Sequence, residues 1–517
     1  MQGSAFLCIS VTMCYSFAYF LFREYRIRLD NVTLKNFVFL AFALTFYYIC
    51  TSFYAFFIIK QYIMKKTILL FFAFLMALSV QAQSVDGSWT GKLSVGGTQL
   101  TIVLNITKGA DGKFACTLDS PDQGAKGIPA DITVTDGTKV KVSIANLMAT
   151  YEGEVKDGEM KGTFTQGGMP FTLNLKPGTV KLNRPQTPVA PYPYATKEVK
   201  IDNKADNVSL GATLTYPVGY EKMDKKDVPV VVMVTGSGLQ NRDEELFGHK
   251  PFLVLADHLA RNGIATLRYD DRGKDKSTGN PATATVESNM RDALAAVEAA
   301  RGMGEFGKVG VLGHSEGGLI AFMLGAQGKA DFIVSMAGPG VGGDSILLTQ
   351  NRRMLVQSGM PAGLADGYCK ALKGILTAMA GTESISDPNA KAQEIVKQTG
   401  VNLPAPAVAN LAKVIESGTP WLKSFISYDP TGDIEAQKCP VMAVNGSKDM
   451  QVIADENLSA IRGLLPANKM NVVKEYDRLN HLFQHCTTGM VTEYNQIEET
   501  MSPEVMQDIA GWINKVK

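Results

Sequence analysis

Neither a Cys-x-x-Cys pair nor a Cys/His ligand spacing occurs among the seven cysteines, which argues against a structural zinc site. Cys116, Cys369, Cys439 and Cys486 lie beyond an apolar N-terminal region, and their wide spacing does not read as a disulfide scaffold. An excess of one charge is missing too: 51 basic against 50 acidic residues leave a net charge of +1. The basic residues are scattered, so a phosphate backbone finds no electrostatic footprint and nucleic acid is not an expected partner. Histidine is scarce, five in 517 residues, which confines imidazole chemistry to His249, His258, His314, His481 or His485. At 45% apolar and 20% charged the chain has a globular composition, and it is too long for one ordinary domain.

Two apolar runs, Ala5 to Phe22 and Phe37 to Ile59, have the length of membrane spans. Directly after them, Met64-Lys65-Lys66 gives a basic start, Thr67 to Val80 a short apolar core, and Val80-Gln81-Ala82 a small-residue cleavage site before Gln83. That is the pattern of a secretory signal. The cationic groups Arg23, Arg26, Arg28, Lys35 and Lys60, Lys65, Lys66 would fall on opposite sides of one span, which violates the positive-inside tendency. The expectation is that residues 1–63 are an over-extended start, that 64–82 is a signal peptide, and that the product is periplasmic or secreted. A membrane-anchored enzyme is the alternative.

From residue 84 to about 180, short alternating segments separated by Gly and Asp-Gly turns predict a small all-β domain, a sandwich or barrel. A covering or assembly role is favoured over a ligand cradle. Residues 181–197, with Pro185, Pro188, Pro191 and Pro193, read as a stiff extended linker. From 198 to 517 apolar β-branched runs alternate with helical periodicity: Val228 to Val234, Ile264 to Arg268, Lys308 to Leu312, Phe332 to Met336 and Val441 to Val444 as strands, Pro251 to Arg261 and Val286 to Arg301 as helices. This predicts a mostly parallel, doubly wound α/β sheet. The alternation stops between about 345 and 428, where a helical insertion should lie over the carboxyl ends of the strands as a cap. There Met354, Met360, Trp421 and Phe425 either line an apolar pocket or pack between cap helices.

Gly313-His314-Ser315-Glu316-Gly317-Gly318 directly follows the apolar run Val309 to Leu312. A serine on a tight strand-to-helix turn needs small residues two before and two after it. The pattern alone is weak, since roughly one chain of this length in five contains G-x-S-x-G by chance. Its context is more specific. A serine hydroxyl needs an imidazole to take its proton and a carboxylate to orient that imidazole. In this chain order the carboxylate is Asp449, after the strand Val441 to Val444, and the imidazole is His481, just past Asn471 to Tyr476, ahead of His485. An oxyanion hole would use the Glu316 amide and one amide of Thr235-Gly236-Ser237-Gly238, that of Ser237 or alternatively Gly238. The Glu316 side chain is expected to cap the helix that follows it.

Residues of about 200 to 517 resemble the α/β-hydrolases and, more narrowly, the bacterial EstD-type esterases. The resemblance rests on Gly236-Ser237-Gly238 with Asn241-Arg242-Asp243-Glu244, Arg268 to Gly273, the Gly313 to Gly318 elbow, Gly446 to Asp449 and Asn480-His481. It implies carboxylic ester hydrolysis through an acyl-enzyme, on small-molecule esters with small or short acyl groups, with no cofactor and no metal. Thr235 departs from the histidine that many relatives carry before the oxyanion glycine. Asp271 and Arg272 are expected to hold their loop as an ion pair. A capped serine aminopeptidase is the alternative function, and would need an acidic cluster from dispersed residues such as Asp366, Glu383 and Glu394. A non-catalytic binding protein is the second alternative. The oligomeric state is left open.

Overall fold

The computed structural model describes residues 84–517 apart from 96–97, 181 and 382–384, together with residues 41, 44–49, 51–52, 60 and 66. The first apolar run and all of the expected signal except residue 66 lie outside the described residues; within the second run, 44–49 are helical. Among the described residues no helix is long and apolar enough to cross a membrane. The chain divides into a unit ending at Ser84 and a unit from Val85 to Lys517.

The second unit opens with eight strands: β1 (Gly87–Val95), β2 (Thr98–Lys108), β3 (Phe114–Ser120), β4 (Ala125–Thr135), β5 (Lys139–Ile144), β6 (Ala149–Lys156), β7 (Glu159–Gln166) and β8 (Met169–Pro177). Each pairs antiparallel with the next, and β1 closes on β8 through Trp89 and Thr90, so the domain is a closed barrel. Inward residues such as Leu104, Val142, Tyr151, Met160 and Leu173 are fully buried. Eight strands leave an interior that side chains can fill, and Tyr151 spans it, donating toward the carbonyls of Met160 (3.3 Å) and Leu173 (3.2 Å). A Cβ on Gly162 would come within 2.6 Å of that hydroxyl.

The part after the barrel begins with β9 (Thr196–Asn203) and β10 (Val208–Thr215), an antiparallel edge pair that apolar alternation alone does not reveal. Then follow β11 (Val230–Val234), α1 (Pro251–Arg261), β12 (Ala265–Tyr269), α2 (Val286–Gly302), β13 (Val309–His314), α3 (Glu316–Ala326) and β14 (Ile333–Met336). The insertion comprises α4 (Gly343–Gln357), α5 (Ala362–Ala380), α6 (Pro388–Thr399), α7 (Ala405–Glu416) and α8 (Pro420–Ile426). After α9 (Thr431–Glu435) the sheet resumes with β15 (Val441–Gly446), α10 (Ala454–Leu464), β16 (Val472–Tyr476) and α11 (Pro503–Val516). The order is β16-β15-β14-β13-β11-β12-β10-β9, parallel from β16 through β12.

The five residues of β11 are all buried because both sheet faces are covered. Val230, Val232 and Val234 join the cluster that includes α2 and α3, while Val231 and Met233 join the cluster that includes α1 and α11. The insertion shares the first cluster through Ile346, Tyr368, Ile375 and Phe425.

The proline-rich segment is docked rather than a free spacer. Arg184 donates to the carbonyls of Phe247 (2.9 Å), Asn495 (2.9 Å) and Ile497 (3.0 Å), and the Gln186 side chain pairs with the backbone of Thr500 and Met501. Asn495 also donates to Asp122 of the barrel at 2.7 Å. Arg184→Ala removes the donor from three carbonyls at once. It should lower unfolding free energy by about 2 kcal/mol and speed proteolytic cleavage between the domains, read by urea melts and limited trypsinolysis.

Candidate active site

The site starts from a steric limit. Where β13 hands over to α3, a Cβ on Gly313 would lie 1.8 Å from the Gly317 carbonyl oxygen, and one on Gly317 would lie 2.0 Å from that of Val234. Only glycine fits at either position. Between them Ser315 takes φ 55°, ψ −117°, a conformation that costs a non-glycine residue about 1–3 kcal/mol. Through the whole run 309–326 Ser315 alone is not buried.

Asp449 and His481 come together from loops at the ends of β15 and β16. The Asp449 carboxylate accepts the backbone amides of Gln451 (2.7 Å) and Val452 (2.9 Å) on one oxygen and faces His481 Nδ1 at 2.7 Å with the other. An Nδ1–H in that bond leaves the lone pair on Nε2, the tautomer a general base requires. The two loops are locked together: Lys448 N–H donates to the Leu479 carbonyl, and a Cβ on Gly446 would lie 2.2 Å from the same oxygen. His485 is turned away, its Nδ1 on Glu499 at 2.8 Å. His249 is buried between Thr500 and the Tyr494 carbonyl, and burial pushes its imidazole down to about 4.

His314, which chain order sets aside as a catalytic base, packs its ring 4.6 Å from that of His481. Its Nε2 lies 2.8 Å from the His481 carbonyl oxygen and its Nδ1 2.9 Å from Glu244 Oε1. The same Glu244 oxygen accepts the Gly236 amide at 2.8 Å. Glu244 thus joins the loop after β11 to the elbow, and His314 joins the elbow to the histidine loop. Residue-type reasoning misses both; the signal was the Asn241 to Glu244 stretch.

With Gly236 N–H committed to Glu244, the amides of Ser237, Gly238 and Glu316 have no acceptor among the described residues. Gly238 holds φ 107°, a glycine conformation. A Cβ on Gly236 would come within 3.2 Å of Ser315 Cβ, so this loop lies against the serine.

Two expectations are corrected here. Asp271 does not pair with Arg272. Its carboxylate accepts the Thr235 hydroxyl and the Gln240 amide, both at 2.7 Å, bracing the loop from both ends. Arg272 turns to Asp206 and Asp292. Thr235 is therefore itself a tether of the loop. The Glu316 carboxylate does not cap α3 either. It is buried and accepts from Asn289 of α2 (3.0 Å) and from the indole N–H of Trp421 on α8 (2.7 Å). Trp421 stacks on Phe425, so both aromatics pack in the cap, and one of them also ties the cap to the elbow. A polar cavity of about 20 Å³, room for one water, lies between Asp271, Glu316, Asn289 and Arg272. Among the described residues no cluster of His, Cys, Asp and Glu could hold a metal.

Burial pushes the Asp271 carboxyl up to about 8, with Glu316 and Glu244 adding to the shift, and pushes Glu316 up as well. An unfolded aspartate titrates near about 4. The Asp271 contribution to stability is therefore complete below that pH and is lost as pH rises through about 8. Asp271→Asn can still accept from Gln240 N–H and donate to the Thr235 hydroxyl. Its melting temperature should fall less between mildly acidic and alkaline buffer than the parent's. Trp421→Phe keeps the stack and deletes only the donor to a buried carboxyl, which should cost about 1–3 kcal/mol in chemical denaturation.

Residues 250–356 match the family model described as serine aminopeptidase, S33. The chain is 26% identical over 329 residues, 63% of this chain and 69% of the relative, to the esterase EstD of Thermotoga maritima. Among solved structures, an esterase of Pyrococcus furiosus is 16% identical with a TM-score of 0.38, covering 65% of this chain and 99% of that one. Est1E of Butyrivibrio proteoclasticus, solved with ferulic acid, is 18% identical with a TM-score of 0.35 over 60% and 98%. The parallel sheet with its strand-to-helix elbow and the cap inserted after β14 give this chain an α/β-hydrolase fold behind an eight-stranded β-barrel, and its sequence is similar to that of the esterase EstD.

Proposed function

We propose that the protein is a serine carboxylesterase that works through an acyl-enzyme on small esters and is exported by the segment 64–82. The observation that carries this reading is the 2.7 Å hydrogen bond between buried Asp449 and His481, in a loop held against the elbow on which Ser315 alone reaches solvent. The name of its relative EstD supports the ester as substrate.

In this mechanism Ser315 Oγ attacks the ester carbonyl carbon while its proton passes to His481 Nε2. Asp449 keeps the ring in the required tautomer and stabilises the imidazolium. The carbonyl oxygen becomes an oxyanion facing the uncommitted amides of Glu316 and Ser237, with Gly238 adjoining. Because these donors are fixed beforehand, they need no reorganisation as charge develops. Collapse of the adduct breaks the bond to the alkoxide oxygen, which takes the proton from Nε2 and leaves as alcohol. Water then repeats the sequence on the acyl-serine.

The description of the matching family model keeps an aminopeptidase as the second reading. Two cap carboxylates that could receive a substrate amine are already paired, Asp366 with Arg352 (2.7 Å) and Glu394 with Lys391 (3.0 Å), while Glu383 lies outside the described residues. The pairing favours the ester.

Ser315→Ala should lower kcat by roughly a millionfold and abolish labelling by a fluorophosphonate. The parent should cleave p-nitrophenyl acetate much faster than aminoacyl anilides, and a series of esters of graded acyl length would define the pocket. Retained hydrolysis by purified Ser315→Ala, or faster anilide cleavage, would overturn the proposal.

A further inference from the structure

The mechanism above makes no use of His314, a buried imidazole with an acceptor at each ring nitrogen. Glu244 Oε1 lies 2.9 Å from Nδ1 and the His481 carbonyl oxygen 2.8 Å from Nε2. A carbonyl oxygen cannot donate, so Nε2 must carry hydrogen. A second proton must then sit between Nδ1 and the carboxylate, because otherwise two lone pairs would face each other at hydrogen-bond distance. The surroundings exclude water from this pair: Phe252, Met336, Leu482, Phe483 and Met501 line the same enclosure.

We propose that Glu244 and His314 form a positioning unit, a proton-bearing bridge that ties the oxyanion loop to the backbone of His481 and does so only while both ring nitrogens of His314 are hydrogen-bonded through protons. The inference rests on the esterase reading and deepens it. One end of the bridge is the Gly236 amide, held by the same Glu244 oxygen and next to the Ser237 amide. The other end is the main chain of the residue whose ring must reach Ser315. His314 itself adjoins the nucleophile, so the bridge fixes three parts of the site relative to each other.

The titratable groups around His314 are Glu244 from the loop after β11, the His481 ring at 4.6 Å, Asp449 behind that ring, and Asp271, whose charge acts on the Glu244 side. Burial lowers the His314 imidazole, but the charge and hydrogen bond of Glu244, the His481 carbonyl and Asp449 outweigh it, and the net shift is upward. A raised histidine keeps its proton below that shifted value and loses it above, so the bridge breaks as pH rises through it. When it breaks, the one proton left on the ring stays at Nδ1 with the Glu244 carboxylate, the bare Nε2 lone pair then faces and repels the His481 carbonyl, and the base moves from Ser315. A displacement of about 1 Å at a reacting group costs on the order of a hundredfold in rate.

The test compares the parent with Glu244→Gln and His314→Gln. Steady-state hydrolysis of p-nitrophenyl acetate is followed across neutral to alkaline pH and normalised to sites titrated with a fluorophosphonate, with ¹⁵N spectra of the histidine rings recorded alongside. The parent should show both His314 nitrogens protonated at neutral pH and an alkaline fall in kcat. Glu244→Gln should move that fall toward neutrality by at least about one pH unit, with little change in KM. His314→Gln should lower kcat by roughly ten- to a hundredfold with KM nearly kept and this alkaline fall absent. If His314→Gln does not fold, the pH profile of Glu244→Gln decides. A folded Glu244→Gln with the parent's kcat and alkaline limb overturns the positioning role, as does a parent spectrum with one bare ring nitrogen on His314 at neutral pH. A parent that neither reacts with the fluorophosphonate nor cleaves the ester removes instead the reading on which the proposal stands.

Discussion

Strand β13 and helix α3 pass so closely that backbone atoms occupy the space where side chains of residues 313 and 317 would be. Everything about the site follows from that contact. It forces Ser315 into a positive-φ turn, leaves it as the one unburied residue of the run 309–326, and aims the first amide of α3 into the space in front of it. Such strain persists only where the surroundings over-determine it. Here they do: the Ser315 amide is held by the Met336 carbonyl at 2.8 Å, and Leu319 through Ala326 are all buried behind it.

The elbow gains its partners through loops that are fixed to one another rather than to solvent-exposed supports. Glu244 spans the oxyanion loop and His314, His314 spans the elbow and the His481 loop, and the Leu479 carbonyl takes the Lys448 amide to join that loop to the one bearing Asp449. The cap enters the same network through Trp421 and Glu316. A substrate that moved α8 would pull on Glu316, whose amide is proposed to face the oxyanion, which gives the cap a physical route to the proposed chemistry.

Much of this was legible in the sequence because it depends on local rules. Apolar β-branched runs mark β11, β13 and β15, glycine spacing marks the elbow, and chain order selects Asp449 and His481. β9 escaped because an edge strand with one exposed side lacks a continuous apolar run, Thr196–Asn203 having only two buried residues; β10 is mostly buried, but Ser209, Gly211 and Thr213 break its apolar run. β1 escaped because Gly91, where a Cβ would lie 2.2 Å from the Asn174 carbonyl, interrupts its alternation. The partners of Asp271, Arg272 and Glu316 were misread for a different reason. A charged residue beside an opposite charge in sequence suggests an ion pair, but Asp271 finds its donors 31 and 36 residues away and Arg272 finds its acceptors 16, 20 and 66 residues away. Long-range pairing of buried charge has no local signature.

Four carboxyl groups, the buried Glu244, Glu316 and Asp449 and the partly buried Asp271, lie around a site that is proposed to stabilise an anion. Left as bare negative charges they would oppose the oxyanion strongly in so dry a setting. The two that face a histidine, Glu244 and Asp449, lie at hydrogen-bond distance from a ring nitrogen, 2.9 Å from His314 and 2.7 Å from His481. The two that do not, Asp271 and Glu316, are pushed toward the protonated form by burial, and each is met by hydroxyl, amide or indole donors. The carboxyls can therefore serve as rigid acceptors that brace loops. The same arrangement explains why Thr235 suffices where a bulkier imidazole could stand: a carboxyl held mainly in its neutral form needs a hydrogen-bond partner, not a counter-ion.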